Sequence, residues 1–321
     1  MGEKNFNVLF QSIYKEIENK KNILILPHIT PDGDAIASAL AFSYFIQRLN
    51  KKAIVFSKNP PKYLKYLFGF SNIQTKSKNK EWFKGVELII ALDYADKKRL
   101  PKFFINKNIT IITLDHHPPQ NQIGEIKIID SCASSTSEII FNFFKTINFK
   151  INKNLATILL TGIYTDSVCF ARLSKEKLSI IQELISLGAN LSQIAKNYLE
   201  FDIKKAKLLS LVLQRLEKRG SIIFSWLKEG EASDIVFNET PIFPDFISFI
   251  DKADAYIFLS KIEENQIKVS LRAPRKKNGL NIVELAEKFG GGGHREATGF
   301  ILRAKSIKEA KKIIEKELKI K

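Results

Sequence analysis

Short apolar runs alternate with longer amphipathic segments in the first part of the chain. The apolar runs consist of consecutive Ile, Leu and Val residues, a pattern typical of strands buried on both faces. Five of these runs are predicted as strands: Asn22–Leu26, Ala53–Phe56, Leu88–Leu92, Ile109–Leu114 and Glu125–Ile129. Apolar residues at helical spacing predict helices between or after them, at Asp34–Leu49, Thr136–Thr146, Asn154–Ile163 and Lys175–Leu187. This order predicts an α/β fold, with a parallel sheet and helices on both of its faces.

The pattern changes near residue 200. Helical spacing over Lys204–Lys218 runs up to Gly220, so residues 201–220 are predicted as a connecting helix. Further along, the pattern predicts a smaller α+β domain. Its predicted strands are Ser221–Trp226, Ala255–Leu259 and Gln266–Arg272, and its predicted helices are Asn281–Phe289 and Ser306–Leu318. We therefore expect a first domain at 1–200 and a second at 221–321.

The composition of the chain excludes only a few classes of protein. No apolar stretch approaches the ~20 residues that a membrane span needs, and the first residues lack the apolar run of a secretory signal. Two cysteines give neither a disulfide framework nor a metal-type spacing, so we predict a cytoplasmic protein without membrane attachment. The net charge of +17 favours phosphate-bearing partners. Most of the excess is scattered Lys, which fits a global compositional bias equally well.

Histidine is rare, and its positions are informative. The chain has four, namely His28, His116, His117 and His294, and each lies in a short, unusual motif. This distribution indicates that histidine is used for chemistry.

The first motif is His28-Ile-Thr-Pro-Asp32-Gly-Asp34, which follows a predicted strand and opens a helix. In open α/β sheets, ligands bind at the carboxyl ends of the strands, where one imidazole and two carboxylates can converge on divalent cations. Helix capping would explain one aspartate, but not the histidine or the second carboxylate. Asp93 also ends a buried strand, although an aspartate there is as often a turn residue as a ligand.

The second motif, Asp115-His116-His117, ends another predicted strand. One histidine can ligate a metal while its neighbour faces the substrate, and the aspartate can orient a ring. Asp166 ends a helical pattern and by itself would pass as a cap. A donor set rich in oxygen, with a minority of imidazole and no thiolate, suits Mn²⁺ or Mg²⁺ better than structural zinc.

The third motif is Gly290–Gly293 followed by His294 and Arg295. Consecutive glycines leave backbone N–H groups accessible to a phosphate, and Arg suits bidentate phosphate binding. A flexible linker is the alternative, although linkers seldom run directly into His-Arg. Upstream, Lys268, Ser270 and Arg272 share one face of a predicted strand.

In order and placement, these motifs resemble those of the DHH phosphoesterase family. The resemblance implies that His28, Asp32 and Asp93 hold one metal, and that a second is held by Asp34, Asp93, His116 and Asp166, with Asp93 bridging. It implies that His117 contacts the scissile phosphate or assists the leaving group and that Asp115 supports the histidines. Two Mn²⁺ ions are expected, with Mg²⁺ or Co²⁺ as alternatives.

The second domain resembles the DHH-associated domain. The resemblance implies that the substrate is bound by Arg272, Gly291, Gly292, Gly293, His294 and Arg295. The two-domain length favours the nano-RNase and phosphoadenosine-phosphate phosphatase branch, which implies hydrolysis of short RNA or dinucleotides such as pApA to mononucleotides. Hydrolysis of 3′-phosphoadenosine 5′-phosphate to AMP and a homodimer are further expectations. A single-strand exonuclease acting on longer DNA or RNA, or a non-catalytic nucleotide-binding module, are the alternatives.

Overall fold

The structure is a computed structural model that describes residues 3–76, 83–93, 109–118, 123–231, 242–274 and 280–318. Its contacts divide the chain into two compact units, Met1–Glu200 and Phe201–Lys321. Every helix in the described ranges is too short or too polar to span a lipid bilayer.

The first unit is built on a parallel sheet. Its described helices are α1 (Glu3–Glu18), α2 (Gly33–Arg48), α3 (Thr136–Thr146), α4 (Lys153–Asp166), α5 (Leu178–Ser186) and α6 (Leu191–Leu199). Its described strands are β1 (Asn22–Pro27), β2 (Lys52–Val55), β3 (Leu88–Leu92), β4 (Thr110–Asp115) and β5 (Ile126–Ile129). The strands are all parallel, in the order β2-β1-β3-β4-β5. The predicted α/β class is confirmed, and α1 and α6 are additions to the predicted elements.

Both faces of this sheet are buried, as the continuous apolar runs require. On β1, Ile23 and Ile25 pack with α1 to α4 on one face, whereas Leu24 and Leu26 point to the other. Fully burying an aliphatic side chain of this size contributes about 1.5–3 kcal/mol. Within the described ranges, helices cover only the first face, and the second is packed by loop residues such as Phe83. We predicted helices on both faces of the sheet. Within the described ranges, they are seen on one face.

The strand order reverses direction beside β1. From β1 the chain adds β2 on one side and then returns to add β3 on the other. In open α/β sheets such a reversal separates the two neighbouring loops and opens a crevice at the carboxyl ends of the strands. The first and second sequence motifs follow β1 and β4 at this edge, and Asp93 follows β3.

The second unit is a mixed sheet with helices. Its described helices are α7 (Ile203–Gln214), α8 (Ile242–Ser248), α9 (Ile282–Lys288) and α10 (Ile307–Glu317). Its strands are β6 (Glu217–Arg219), β7 (Ile222–Leu227), β8 (Ala255–Glu263), β9 (Gln266–Arg272), β10 (Gly292–His294) and β11 (Ala297–Arg303). The order is β10-β11-β9-β8-β7-β6, with β7 and β8 parallel and the other pairs antiparallel. α9 and α10 pack on one face, and α7 and α8 pack over β7 and β8 on the other.

Two sequence predictions need correction in this unit. The predicted connecting helix at 201–220 is shorter, because α7 ends at Gln214 and Glu217–Arg219 pairs with β7 as a strand. The predicted glycine loop is also partly strand: Gly292–His294 forms β10 and pairs with β11. Both differences arise from pairing with partners elsewhere in the chain, which a local pattern does not reveal.

Candidate metal centre

Asp93 is the central carboxylate of the site at the carboxyl ends of β1, β3 and β4. Its Oδ2 lies 3.5 Å from His28 Nε2, and its Oδ1 lies 3.5 Å from His116 Nε2 and 3.1 Å from His117 Nδ1. The side chain is buried, and the backbone is left-handed with φ of 61°. A left-handed non-glycine residue at a strand end is uncommon and indicates a constrained position.

The histidines determine the charge state of this carboxylate. Burial by itself favours protonated Asp93, but the charge and hydrogen bond of His117, together with the charges of His116 and His28, lower its pKa. Asp93 is therefore held ionised among imidazoles. An ionised, buried carboxylate that faces three rings is suited to accept a cation on each of its two oxygens.

Asp32 combines a capping role with a place in the site. It is the N-cap of α2, and its Oδ1 accepts a hydrogen bond of 3.0 Å from Ala35 N–H. Its Oδ2 lies 3.8 Å from His28 Nε2. Although burial acts in the opposite direction, the interaction with His28 lowers the pKa of Asp32. The capping alternative is therefore correct for one oxygen, and the other oxygen faces His28.

Asp34 is held by the N-terminus of α3. Its Oδ2 accepts the backbone N–H of Thr136 at 2.7 Å, and its Oδ1 accepts that of Ser137 at 3.0 Å and the hydroxyl of Ser38 at 3.3 Å. Helix N-termini bind anions in this way because their first N–H groups have no intrahelical partner. Thr136 also donates its hydroxyl to Asp93 Oδ1 at 3.3 Å. One residue thus positions two of the carboxylates.

The serine-rich segment before α3 caps the helix. Ser135 Oγ accepts the N–H of Glu138, and Glu138 in turn accepts the N–H and hydroxyl of Ser134. These reciprocal bonds resemble a capping box. The role of the following amides in holding Asp34 was not predicted, because it depends on where α2 lies in the fold.

Two glycines allow α4 to approach α2 and α3 closely beside the site. A Cβ on Gly162 would lie 1.9 Å from Ser137 Oγ and 2.5 Å from Asp34 Oδ1, and one on Gly33 would lie 2.4 Å from Thr165 Oγ1. Gly33 is therefore needed for helix packing and is the first residue of α2, one position before the predicted helix start at Asp34. Gly162 was absent from the predicted site.

Asp166 is the last residue of α4, and its Oδ2 lies 3.4 Å from His116 Nε2. Burial, followed by the charges of Asp34, Asp32 and Asp93, raises the pKa of Asp166 well above its ordinary value. Burial and the charge of Asp93 similarly raise the pKa of Asp34 to about 8. Without a cation, Asp34 and Asp166 thus retain protons at neutral pH, whereas Asp93 and Asp32 do not.

His117 is paired with Asp115 at the end of β4. His117 Nδ1 lies 2.8 Å from Asp115 Oδ1, which also accepts the backbone N–H of His117 at 3.0 Å. Burial opposes the charged ring, but the interactions with Asp93 and Asp115 raise the pKa of His117 well above its ordinary value. His116 differs, since burial and the charge of His117 lower its pKa. The neighbouring rings thus have opposite protonation tendencies, one cationic and one neutral.

Three groups of side chains here have ligand atoms within 4.8 Å of one another. They are His28, Asp32 and Asp93; Asp34, Asp93 and His116; and Asp93, Asp115 and His117. The first two groups share Asp93 and contain only carboxylate and imidazole donors, which divalent cations of the Mn²⁺ and Mg²⁺ type accept. Proton retention by Asp34 and Asp166 indicates more buried negative charge than the histidines neutralise. The residues therefore fit a metal centre.

The predicted substrate residues of the second unit lie around β9, β10 and β11. Arg272 ends β9, and register pairs it with Ala297 of β11, which in turn pairs with His294 of β10. Arg295 lies in the two-residue turn between β10 and β11. These three cationic or ionisable residues thus meet at one end of the sheet.

The glycines before His294 are partly explained by packing. A Cβ on Gly291 would lie 2.2 Å from the Gly299 carbonyl oxygen, and one on Gly293 would lie 2.5 Å from that of Ala297. Gly293 also has a left-handed φ of 142°. Close contact with β11 therefore requires glycine at both positions, whether or not a ligand binds here.

Comparison with known proteins identifies the class. The model of the DHH family N-terminal domain matches residues 22–163, and that of the DHHA1 domain matches residues 221–320. The chain therefore contains a DHH domain followed by a DHHA1 domain and is a hydrolase acting on phosphate esters. The family resemblance and the enzyme class predicted from the motifs are confirmed.

Two relatives and one solved structure are similar to this chain over most of its length. The bifunctional oligoribonuclease and PAP phosphatase NrnA of Thermus thermophilus is 26% identical over 312 residues, covering 94% of this chain and 90% of that protein. The Bacillus subtilis protein of the same name is 24% identical over 286 residues, covering 86% and 88%. A solved exopolyphosphatase-related protein from Bacteroides fragilis is 27% identical, with a TM-score of 0.86 over 97% of this chain and 96% of that one.

Proposed function

We propose that the protein is a Mn²⁺-dependent phosphodiesterase that hydrolyses short oligoribonucleotides and dinucleotides such as pApA to mononucleotides. We include the dephosphorylation of 3′-phosphoadenosine 5′-phosphate to AMP in the proposal. The observation that carries it is the Asp93-centred cluster, in which two donor groups share one carboxylate. The substrate class is supported by the names of the T. thermophilus and B. subtilis relatives.

In this proposal, His28, Asp32 and Asp93 would hold one cation, and Asp34, Asp93, His116 and Asp166 would hold a second. A pair of such ions activates water as a nucleophile and stabilises the oxygens of the reacting phosphate. The protein's contribution is to keep the donors in place. α3 fixes Asp34 through two amides, and Thr136 reaches Asp93.

His117 is proposed as the proton donor to the leaving oxygen. Without a bound cation, the interactions with Asp93 and Asp115 raise the pKa of this ring. Once Asp93 holds cations, the hydrogen bond and charge of Asp115 are the interactions that favour the protonated ring. Asp115, bonded to Nδ1, sets the ring orientation, so the proton to be transferred is on Nε2. After transfer, Asp115 continues to hold the neutral ring.

We propose that Arg272, Gly291–Gly293, His294 and Arg295 bind the terminal phosphate or nucleotide of the substrate. Guanidinium groups bind phosphate with two parallel hydrogen bonds. Recognition of a chain end favours short substrates, because a short RNA has more ends for each scissile bond than a long one. A homodimer and a cytoplasmic location stay predictions.

The deciding experiment is a time course with Mn²⁺ on 5′- and 3′-labelled RNAs, from dinucleotides to long oligomers, and on phosphoadenosine phosphate. We expect fastest turnover of the shortest RNAs. Preferential degradation of long strands would favour the exonuclease alternative, and hydrolysis that persists after exhaustive chelation would refute the metal-dependent proposal. Parallel assays with Mg²⁺ and Co²⁺ test the choice of metal.

Asp93→Asn tests the shared carboxylate. We expect loss of activity and of at least one Mn²⁺ site in isothermal titration calorimetry. Asp130→Asn is the matched control, because Asp130 likewise follows a strand of this sheet, β5, and lies outside the three ligand groups. Normal Mn²⁺ binding by the Asp93 variant would contradict the assignment.

A further inference from the structure

Arg272 lies on the face of the second unit's sheet that carries α7 and α8, on the strand next to β8. It alternates along β9 with the buried Val269 and Leu271, so its side chain shares a face with Lys268 and Ser270. On that face, register places it between Tyr256 of β8 and Ala297 of β11. The side chain is 14% exposed, which is low for an arginine.

Two of the three guanidinium nitrogens are held by the protein. Nε donates to Asp245 Oδ1 at 2.5 Å, and Nη1 donates to the carbonyl oxygen of Leu271 at 3.0 Å. Within the ranges that the structure describes, Nη2 has no hydrogen-bond partner. The group is therefore anchored along one side, and the plane of the guanidinium fixes the direction of its three other N–H groups, two of which are on Nη2.

Asp245 reaches Arg272 because of how α8 is packed. Phe243 and Ile247, two positions before and after Asp245, are fully buried in the cluster formed with β7 and β8. The ring of Phe243 meets that of Phe258 edge-on, with centroids 6.2 Å apart. These contacts fix α8 against the sheet. Asp245 on this helix is 5% exposed and lies next to Arg272 of β9. A carboxylate buried to this extent requires a charged or hydrogen-bonded partner.

Asp245 also affects the repulsion between two cationic side chains on β9. Burial and the charge of Arg272 lower the pKa of Lys268 to about 8, so the two cations on this strand oppose each other. The negative charge of Asp245 offsets this repulsion and favours one position of the guanidinium over others. A preorganised arginine loses less side-chain entropy when it binds an anion.

We propose that Asp245 is a positioning residue, which holds Arg272 so that Nη2 faces the phosphate of a bound nucleotide. This inference rests on the proposed function, because that proposal makes Arg272 a substrate ligand. A salt bridge that served only the stability of the second unit would leave nucleotide binding unaffected.

The test compares Asp245→Asn, Asp245→Glu, Arg272→Ala and the double variant Asp245→Asn/Arg272→Ala in the full-length, Mn²⁺-loaded protein. Glu231→Gln is the matched control, since Arg215 and Glu231 form another partly buried ion pair in the same unit. KM and kcat for pApA are measured, together with AMP binding by calorimetry, which needs no turnover. Melting temperatures show whether each variant is folded.

We expect Asp245→Asn to raise KM for pApA and Kd for AMP roughly tenfold, with a much smaller change in kcat, since hydrogen bonds to charged groups have effects of this order. Asp245→Glu should recover part of the loss. The Asn substitution should have no further effect once Arg272 is alanine, because its influence acts through that residue. Glu231→Gln should leave both constants unchanged.

Unchanged KM and Kd in folded Asp245→Asn would overturn the inference. If Arg272→Ala still showed weaker binding, the proposed function would survive that result. Unchanged binding in Arg272→Ala would overturn the inference as well, since the arginine would then not be a ligand. If the wild type hydrolysed no dinucleotide yet bound AMP about tenfold more tightly than Asp245→Asn, the proposed function would fail and the positioning role would stand.

Discussion

Replacing Gly162 by alanine should disable the candidate metal centre while leaving the protein folded. Gly162 lies on α4 and faces the N-terminus of α3 and the carboxylate of Asp34. The added Cβ would lie 1.9 Å from Ser137 Oγ and 2.5 Å from Asp34 Oδ1. Neither oxygen belongs to a long flexible side chain that could simply turn away.

The expected effects on stability and activity differ in size. Overpacking costs about 1–3 kcal/mol, and replacing glycine by alanine within a helix recovers about 1 kcal/mol. The net loss is small beside a typical unfolding free energy of about 5–15 kcal/mol. Asp34 Oδ1, however, must retreat by about 0.9 Å, from 2.5 Å to the 3.4 Å of ordinary contact. A displacement of about 1 Å in a catalytic arrangement reduces the rate roughly 10²-fold.

The assay combines three measurements on Gly162→Ala: kcat for pApA, Mn²⁺ affinity by calorimetry, and unfolding in urea. The double variant Ser137→Gly/Gly162→Ala separates the two contacts, because it removes the serine side chain and keeps the backbone N–H that holds Asp34. If displacement of Asp34 is the cause, the double variant should regain little activity.

Wild-type turnover and Mn²⁺ affinity in Gly162→Ala would refute this reasoning about Asp34. Full recovery in the double variant would also refute it, since the damage would then come from Ser137. A loss of activity that merely follows a loss of folded protein would point to general destabilisation.

Three further predictions concern stability. In metal-free protein, Asp34 has its carboxyl pKa raised from 3.8 to about 8, and the pKa of Asp166 is raised as well, so the folded state binds more protons than the unfolded state between about pH 4 and pH 8. Stability should therefore fall as pH rises over this range, and saturating Mn²⁺ should abolish this fall in a thermal melt; a flat metal-free profile would contradict it. Lys268→Met should raise the melting temperature at neutral pH, because burial of the charged lysine destabilises the folded state. Lowering the lysine pKa from 10.5 to about 8 corresponds to a destabilisation of at most roughly 3 kcal/mol. An unchanged melting temperature would count against burial of this charge. Ser135→Ala should cost about 1 kcal/mol in urea unfolding by removing the α3 cap that accepts Glu138 N–H, and an unchanged midpoint would show that the cap contributes nothing.

Much of the fold follows from local patterns. Leu88–Leu92 and Thr136–Thr146 have the same bounds in the sequence prediction and in the structure. A buried parallel strand is recognisable because both of its faces must be apolar, and α3 because its capping residues mark its first turn. α1 and α6 were not predicted, since their amphipathic patterns were not separated from the surrounding polar sequence.

The sequence by itself also determined which residues could form the site. His28, Asp32 and Asp34, and likewise Asp115–His117, are close because they are near in sequence and follow strands whose carboxyl ends share one edge of the sheet. The family comparison agrees with that interpretation of the motifs. The assignment of individual ligands stays a prediction.

Only the tertiary structure decided what surrounds these residues. The amides of α3 that hold Asp34, the space left by Gly162, and the partnership of Asp245 with Arg272 each join positions from separate elements of one unit. The C-terminal end of α7 was likewise set by tertiary structure, because Glu217–Arg219 pairs with β7. Gly292–His294 is a strand because it pairs with β11. A local pattern records which face of an element is apolar, whereas these contacts depend on which elements meet and in what register.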